Sequence, residues 1–318
     1  MTLTNFTAMQ LSVNTNPASS LAEHIGNTPL LPLRRIGAGL SSQVQVLAKA
    51  EWFNPGGSVK DRPAWNIIRT ALASGELGSG KRLLDSTSGN MGIAYATLGA
   101  TLGIPVTLTM PANASPERVS ILHALGAEVI LTDPLEGSDG SRALAKQMVA
   151  AEPDRYYYAN QYDNPANWQA HYLSTGPEIV AQTDAQLTHF VTGLGTTGTL
   201  TGVGRYLREF HPDVRLVAVQ PDDAFHGLEG LKHMPSAVIP GIFDPALPNE
   251  TLEVSTEAAR EMVRRLAREE GLFVGISSGA AAVAALQLAS RLNSGLVVTV
   301  FPDAGYKYLS DTELWNEA

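Results

Sequence analysis

The sequence predicts an α/β fold of about two domains, each a mainly parallel sheet layered between helices, and three observations carry that reading. Short β-rich runs alternate with helical patterns along nearly the whole chain, the mark of βαβ units and of parallel sheets covered on both faces. The 318 residues exceed one ordinary domain of roughly 100–200 residues. The 29 glycines and 19 prolines fall in large part at strand-to-helix junctions, where open α/β sheets place ligands.

Taken in chain order, residues 1–20 are polar and rich in Asn, Thr and Ser, which predicts a flexible leader. Strands are expected over 44–50, 83–85, 105–110, 128–131, 155–158, 189–192, 214–219, 272–274 and 296–301, apolar runs of strand length. Between most of them apolar residues recur every three or four positions, as in Ala64, Ile67, Ile68, Ala71 and Leu72, and so share one helix face. Ser115-Pro116-Glu117 reads as N-cap, first-turn proline and acidic first turn, and Asn164-Pro165 offers a second such start. The longest irregular segment, 221–247, is expected to line a site.

Composition excludes several functions. With 22 Lys+Arg against 31 Asp+Glu the formal charge is −9, a sign that repels nucleic-acid backbones and anionic membranes. The absence of cysteine removes disulfides, thiolate metal sites and thiol catalysis. The histidines show no metal-ligand spacing, so no metal is expected. The first basic residue is Arg34 and no apolar run spans a bilayer, so the expectation is a cytoplasmic protein.

Four loops carry chemistry-bearing residues. In Asn54-Pro55-Gly56-Gly57-Ser58-Val59-Lys60-Asp61-Arg62, a turn feeds a helix capped by Ser58, which places Lys60 in the first helical turn. The positive end of the helix dipole disfavours an ammonium there and lowers its pKa, which suits an amine that attacks a carbonyl. A solvated lysine beside an acid is the plainer alternative. Asp85-Ser86-Thr87-Ser88-Gly89-Asn90-Met91-Gly92 joins a strand to a helix with N–H and hydroxyl donors that suit a carboxylate, or that simply cap the helix. Gly193-Leu194-Gly195-Thr196-Thr197-Gly198-Thr199 combines glycines, threonines and a helix start into a phosphate cradle. It also fits the dinucleotide pattern G-x-G-x-x-G, but the acid expected at the end of the next strand is missing: Gln220 stands there. In Gly275-Ile276-Ser277-Ser278-Gly279 a serine either caps a helix beginning near Ala280 or meets a ring nitrogen. Gln161 follows the aromatic run Tyr156-Tyr157-Tyr158.

In this order and spacing the segments resemble the cysteine synthase family, the O-acetylserine sulfhydrylases of the fold-type II pyridoxal-phosphate class related to the tryptophan synthase β subunit. The likeness runs from Ile25-Gly26-Asn27-Thr28-Pro29-Leu30 to Pro302-Asp303-Ala304-Gly305-Tyr306-Lys307-Tyr308-Leu309-Ser310. The Gly193 to Thr199 loop and Pro240-Gly241-Ile242-Phe243 are similar to the B-type (CysM-like) branch.

The resemblance implies a smaller mobile α/β domain over 54–165 and a larger cofactor-anchoring domain over 21–53 plus 166–318. It implies that Lys60 holds pyridoxal 5'-phosphate and then serves as acid and base. It further implies that Asn90 bonds the ring oxygen, that Gly195, Thr196, Thr197, Gly198 and Thr199 bind the phosphate, and that Ser277 faces the pyridine nitrogen. Thr87, Ser88, Gly89, Met91 and Gln161 match the pocket for the substrate carboxylate, with Met91 standing where the family usually has threonine. A serine facing the ring nitrogen suits β-elimination over transamination. The implied reaction is β-replacement of O-acetyl-L-serine by sulfide to give L-cysteine and acetate through an aminoacrylate. A homodimer is the family expectation, and the resemblance leaves a serine acetyltransferase partner open. Asp222 occupies a region where phosphoserine-using relatives carry arginine, which favours O-acetylserine over O-phosphoserine. The alternatives are a same-fold cystathionine β-synthase or serine/threonine dehydratase, an NAD-dependent oxidoreductase and an idle binding protein.

Overall fold

The computed structural model describes residues 20–78, 80–87 and 89–315. It begins with a 3-10 turn over Leu21–His24 capped by Ser20, so the leader expected over 1–20 lies, apart from Ser20, outside the described residues. There follow β1 (Leu30–Pro32), β2 (Val44–Ala50), α1 (Asp61–Ser74), β3 (Arg82–Ser86), α2 (Asn90–Leu102), β4 (Val106–Pro111), α3 (Pro116–Ala124), β5 (Glu128–Thr132), α4 (Gly137–Ala151) and β6 (Tyr156–Tyr158). The second half holds α5 (Pro165–Ala170), a π turn over His171–Thr175, α6 (Gly176–Gln182), β7 (His189–Gly193), α7 (Gly198–Phe210), β8 (Arg215–Pro221), β9 (Glu250–Val254), α8 (Thr256–Arg265), α9 (Ile276–Ala289), β10 (Gly295–Phe301) and α10 (Thr312–Trp315).

Six strands form one sheet in the order β1-β2-β10-β7-β8-β9, and four form another in the order β5-β4-β3-β6. Every pairing is parallel except that of β1 with β2. Side-chain alternation sets the layers. In β10, Val297 and Phe301 join the core formed with α8 and α9, whereas Val298 and Val300 face Ile179 of α6 and Val203 and Leu207 of α7. In the smaller sheet Leu83 packs with Ile67, Tyr95 and Leu122 from α1, α2 and α3, and Leu84 with Ala145 of α4. Both sheets are thus sandwiched, as expected of buried parallel strands. Helix α9 is buried around most of its circumference because it is small and apolar, and a Cβ on Gly279 would press on the Ala259 carbonyl of α8.

The caps predicted at Ser115 and Asn164 are present, their side chains accepting from the backbone of Arg118 and Ala166. Several boundaries differ. β1 and β9 were not anticipated. The run 272–274 forms no strand; Val274 makes one bridge to Ala304 and Phe273 stacks on Trp315. Helix α9 starts at Ile276 after a Gly275 N-cap, so Ser277 and Ser278 lie inside its first turn rather than capping it. No helix among the described residues is long and apolar enough to cross a membrane, and no group of His, Asp and Glu among them is placed to hold a metal.

Candidate active site

The C-terminal ends of β3, β6, β7 and β10 converge, and the segments that leave them line one cavity. Lys60, Thr87, Gly89, Asn90, Met91, Gln161, Gly195, Thr196, Thr197, Gly198, Thr199 and Ser277 all border it. Residues brought forward by five separate segments therefore meet in one place, at the strand ends where open α/β sheets bind ligands. Ser88 lies outside the described residues.

Lys60 is held by the turn before it. Gly57 has φ 74°, the left-handed conformation glycine tolerates, and the Val59 amide donates to the Pro302 carbonyl at 2.8 Å, tying the turn to the end of β10. Helix α1 starts at Asp61, so Lys60 occupies the N-cap rather than the first turn, and Ser58 accepts from the Lys60 amide instead of capping the helix. That position is still at the positive end of α1, and burial acts in the same direction. Burial pushes the Lys60 amine below the ordinary lysine value, against the pull of Asp303 and Glu51.

Asn90 opens α2, and its amide is fixed at both ends. Its Nδ2 donates to Asp303 Oδ2 at 2.7 Å, and its Oδ1 accepts from Lys307 Nζ at 2.7 Å. Lys307, 1% exposed, spends its other two hydrogens on the Gly56 and Gly57 carbonyls, at 3.2 and 3.0 Å. Asp303 is held in turn by the Tyr308 hydroxyl at 2.7 Å. One Nδ2 hydrogen of Asn90 is left to donate.

The 195–199 loop turns from β7 into α7. Thr197 sits at φ 69°, a Cβ on Gly195 would strike the Gly230 carbonyl, and one on Gly198 would strike Asn167 Oδ1. These close approaches require glycine. Thr197 Oγ1 is buried with no hydrogen-bond partner among the described residues, an orphan donor beside a helix N-terminus. Gly198→Ala is expected to weaken cofactor retention by roughly tenfold or more, because overpacking here costs about 1–3 kcal/mol. Dialysis followed by cofactor absorbance measures this; unchanged retention contradicts it.

At the other end of the cavity, Thr87 Oγ1 accepts from the Gly89 and Gly92 amides at 3.2 and 3.3 Å, so its own proton is free for an acceptor in the cavity. Gln161 Nε2 donates to the Ser86 carbonyl at 2.8 Å, leaving one amide hydrogen. Met91 is 2% exposed and packs into the core with α1 and α3, touching the cavity with the little it shows. Of the two serines, Ser277 borders the cavity and Ser278 is fully buried, its Oγ without a partner among the described residues.

Sequence reasoning missed Arg118 and Tyr308, which also border the cavity; Glu229 and Lys232 border it too and belong to the irregular segment 221–247 that was expected to line a site, although neither residue was singled out. Arg118, in the first turn of α3, grips Glu229 with two bonds of 2.8 and 2.6 Å and lies 4.7 Å over the Tyr308 ring. An arginine in a first helical turn is misplaced by the same dipole rule that singled out Lys60. Lys232 lies 5.1 Å over the Tyr162 ring, its amine lowered by burial. Asp222 is exposed and does not border the cavity, whereas Lys232 of the same segment does.

These features fit pyridoxal phosphate. The cavity offers a buried amine of lowered pKa, an amide with one hydrogen to spare, a serine on its wall and a glycine loop with an orphan hydroxyl, a donor set of the kind that the cofactor's aldehyde, ring and phosphate call for. Comparison with known proteins agrees. The model of the family "Pyridoxal-phosphate dependent enzyme" matches residues 21–303. A cysteine synthase of Aquifex aeolicus is 50% identical over 298 residues, covering 92% of this chain and 91% of its own. Cysteine synthase B of Salmonella typhimurium is 42% identical over 292 residues, covering 92% and 95%. The crystal structure of an O-acetyl serine sulfhydrylase, isoform 3, from Entamoeba histolytica superposes with a TM-score of 0.88 at 34% identity, covering 99% of this chain and 96% of that one. A shared glycine loop does not make this an oxidoreductase: the chain belongs to the cysteine synthase family of fold-type II pyridoxal-phosphate enzymes, and resembles its B-type branch.

Proposed function

We propose that this chain converts O-acetyl-L-serine and sulfide to L-cysteine and acetate. The observation that carries the reading is a single cavity lined by a buried amine of lowered pKa, Lys60, by the glycine- and threonine-rich 195–199 loop, and by the Thr87 and Gln161 donors. Lys60, Asn90, Ser277 and the 195–199 loop would hold pyridoxal phosphate, which when bound supplies the electron-withdrawing ring that eases loss of the substrate's Cα proton and β-acetoxy group. Lys60 Nζ takes and returns the proton at the substrate Cα, and burial, which lowers its pKa, favours the neutral, basic amine. Thr87, the Gly89 backbone and Gln161 grip the substrate carboxylate, with Ser88 expected beside them, and Met91 offers that carboxylate no hydroxyl. Ser277, neutral and weakly acidic, would face the ring nitrogen of the bound cofactor with a hydroxyl that cannot deliver a full proton.

The remaining readings extend this one. The segment 54–165, built around the four-stranded sheet, acts as the smaller mobile domain and closes over the carboxylate, excluding water. Cavity walls contributed by both sheets, and the Arg118–Glu229 pair that spans it, support this. The working form is a cytoplasmic homodimer with serine acetyltransferase as a candidate partner; exposed Leu173 and Phe210 give a subunit contact apolar surface.

Purified protein supplied with pyridoxal phosphate, O-acetylserine and sulfide is expected to release cysteine and acetate in equal amounts, and faster than it consumes O-phosphoserine. Pyruvate release without sulfide at the same rate, or faster turnover of O-phosphoserine through Lys232, contradicts the proposal.

A further inference from the structure

Behind the 195–199 loop lie two buried polar side chains that the proposed chemistry does not use. Asn167 in α5 and His171 at the start of the π turn are each 1% exposed. They stand four residues apart and so share one helical face. That face meets the beginning of α7 so closely that a Cβ on Gly202 would press on the Trp168 carbonyl and the His171 side chain. π turns of this kind concentrate at functional sites.

Each side chain reaches a threonine hydroxyl of the loop. Asn167 Nδ2 donates to the Gln161 carbonyl at 2.7 Å and to Thr196 Oγ1 at 3.1 Å, and the Gly198 amide reaches the same Oγ1 at 3.5 Å. A hydroxyl has two acceptor lone pairs and one proton, so both lone pairs of Thr196 are engaged from the protein side. His171 Nδ1 lies 2.9 Å from Thr175 Oγ1, and its Nε2 lies 3.4 Å from Thr199 Oγ1. Thr175 is fully buried, and among the described residues His171 Nδ1 is the group its hydroxyl meets, so we assign the Thr175 proton to that nitrogen. Nδ1 therefore accepts, and the ring hydrogen sits on Nε2, facing Thr199. Burial, reinforced by the Arg62 and Lys60 charges and opposed by Glu51 and Glu178, pushes His171 down to about 3, so the ring stays neutral with that one N–H.

We propose that Asn167 and His171 are positioning residues that hold the Thr196 and Thr199 hydroxyls from behind, so that both protons point into the cavity toward the cofactor phosphate. A hydroxyl turned the other way would present a lone pair to phosphate oxygens and repel them. Asn167 also ties this brace to the backbone of Gln161, linking phosphate and carboxylate ends of the site. The inference rests on reading the 195–199 loop as the phosphate site.

The test is a double-mutant cycle on the full chain, with dissociation constants measured for pyridoxal phosphate and for pyridoxal, which lacks the phosphate. His171→Phe and Thr199→Val are each expected to weaken pyridoxal phosphate about tenfold while leaving pyridoxal within about twofold, and the double variant to be no more than about threefold worse than either single. Thr175→Val, which frees Nδ1 and lets the ring hydrogen change sides, gives a smaller loss of about threefold with the same selectivity and serves where His171→Phe does not fold. His171→Gln, which keeps an N–H at similar reach, recovers most of the affinity. Multiplying losses in the double variant, or equal losses for both ligands, overturn the brace. If Thr199→Val itself leaves the preference for the phosphorylated ligand intact, the phosphate-site reading of the loop has failed instead.

Discussion

Lys60→Ala is expected to lower cysteine formation by at least about 1,000-fold and to leave pyridoxal phosphate removable by dialysis. General acid–base catalysis alone contributes about 100- to 10,000-fold, and this amine has the further proposed task of holding the cofactor. Neighbouring lysines are poor substitutes. Lys307 has its three hydrogens committed to the Gly56 and Gly57 carbonyls and to Asn90, so it is a fully bonded ammonium. Lys232 lies over Tyr162, on the far loop that also carries Glu229. Retention of more than a tenth of wild-type turnover by Lys60→Ala, with the variant folded, would contradict the proposed role.

Arg62→Met is expected to destabilise the fold by about 3–5 kcal/mol, the range for removing one partner of a buried charge pair. Two residues into α1 from Lys60, Arg62 donates to both oxygens of fully buried Glu51, at 2.7 and 2.8 Å, and to both oxygens of Glu178, at 2.6 and 2.8 Å. Lys49, also fully buried, holds Glu178 at 2.7 Å. Methionine fills much of the volume but leaves Glu51 charged in the interior. The pH dependence gives the sign. In the wild type, Arg62 and Lys49 hold Glu178 down to about 2 against burial, from an ordinary value of 4.5. Its stabilisation is therefore fully present above about pH 4.5 and lost as the pH falls toward 2. In the variant both carboxyls shift upward, so the penalty shrinks on acidification and is smaller at pH 5 than at pH 8. Adding Glu51→Gln should recover part of the loss. Urea denaturation at the two pH values measures this, and a loss below about 1 kcal/mol at pH 8 would refute the account of the network.

The sequence disclosed the two-sheet pattern because buried parallel strands are continuous apolar runs with punctuated ends. It hid β9, whose Glu250 and Glu253 lie on an edge strand paired only to β8, and β1, three residues ending in proline. The apolar run 272–274 misled because its side chains pack on Trp315 and the core without a ladder. Loop chemistry was legible at Lys60, Asn90 and the 195–199 loop because glycines, hydroxyls and helix starts are local signals. What surrounds them was not. Asn90 and Asp303 are 213 positions apart, and Arg118 meets Glu229 across 111, so only the fold reveals them. The dipole argument found Lys60 from a local signal, whereas the burial that also lowers its amine comes from the fold around it.

The most direct test of the central claim, that Lys60 is the amine that holds pyridoxal phosphate, is borohydride reduction of the holoprotein followed by peptide mass mapping. The account predicts the reduced cofactor on the peptide containing Lys60 and on no other. Cofactor found on Lys232, Lys307 or Lys49, or no covalent cofactor at all, would contradict it.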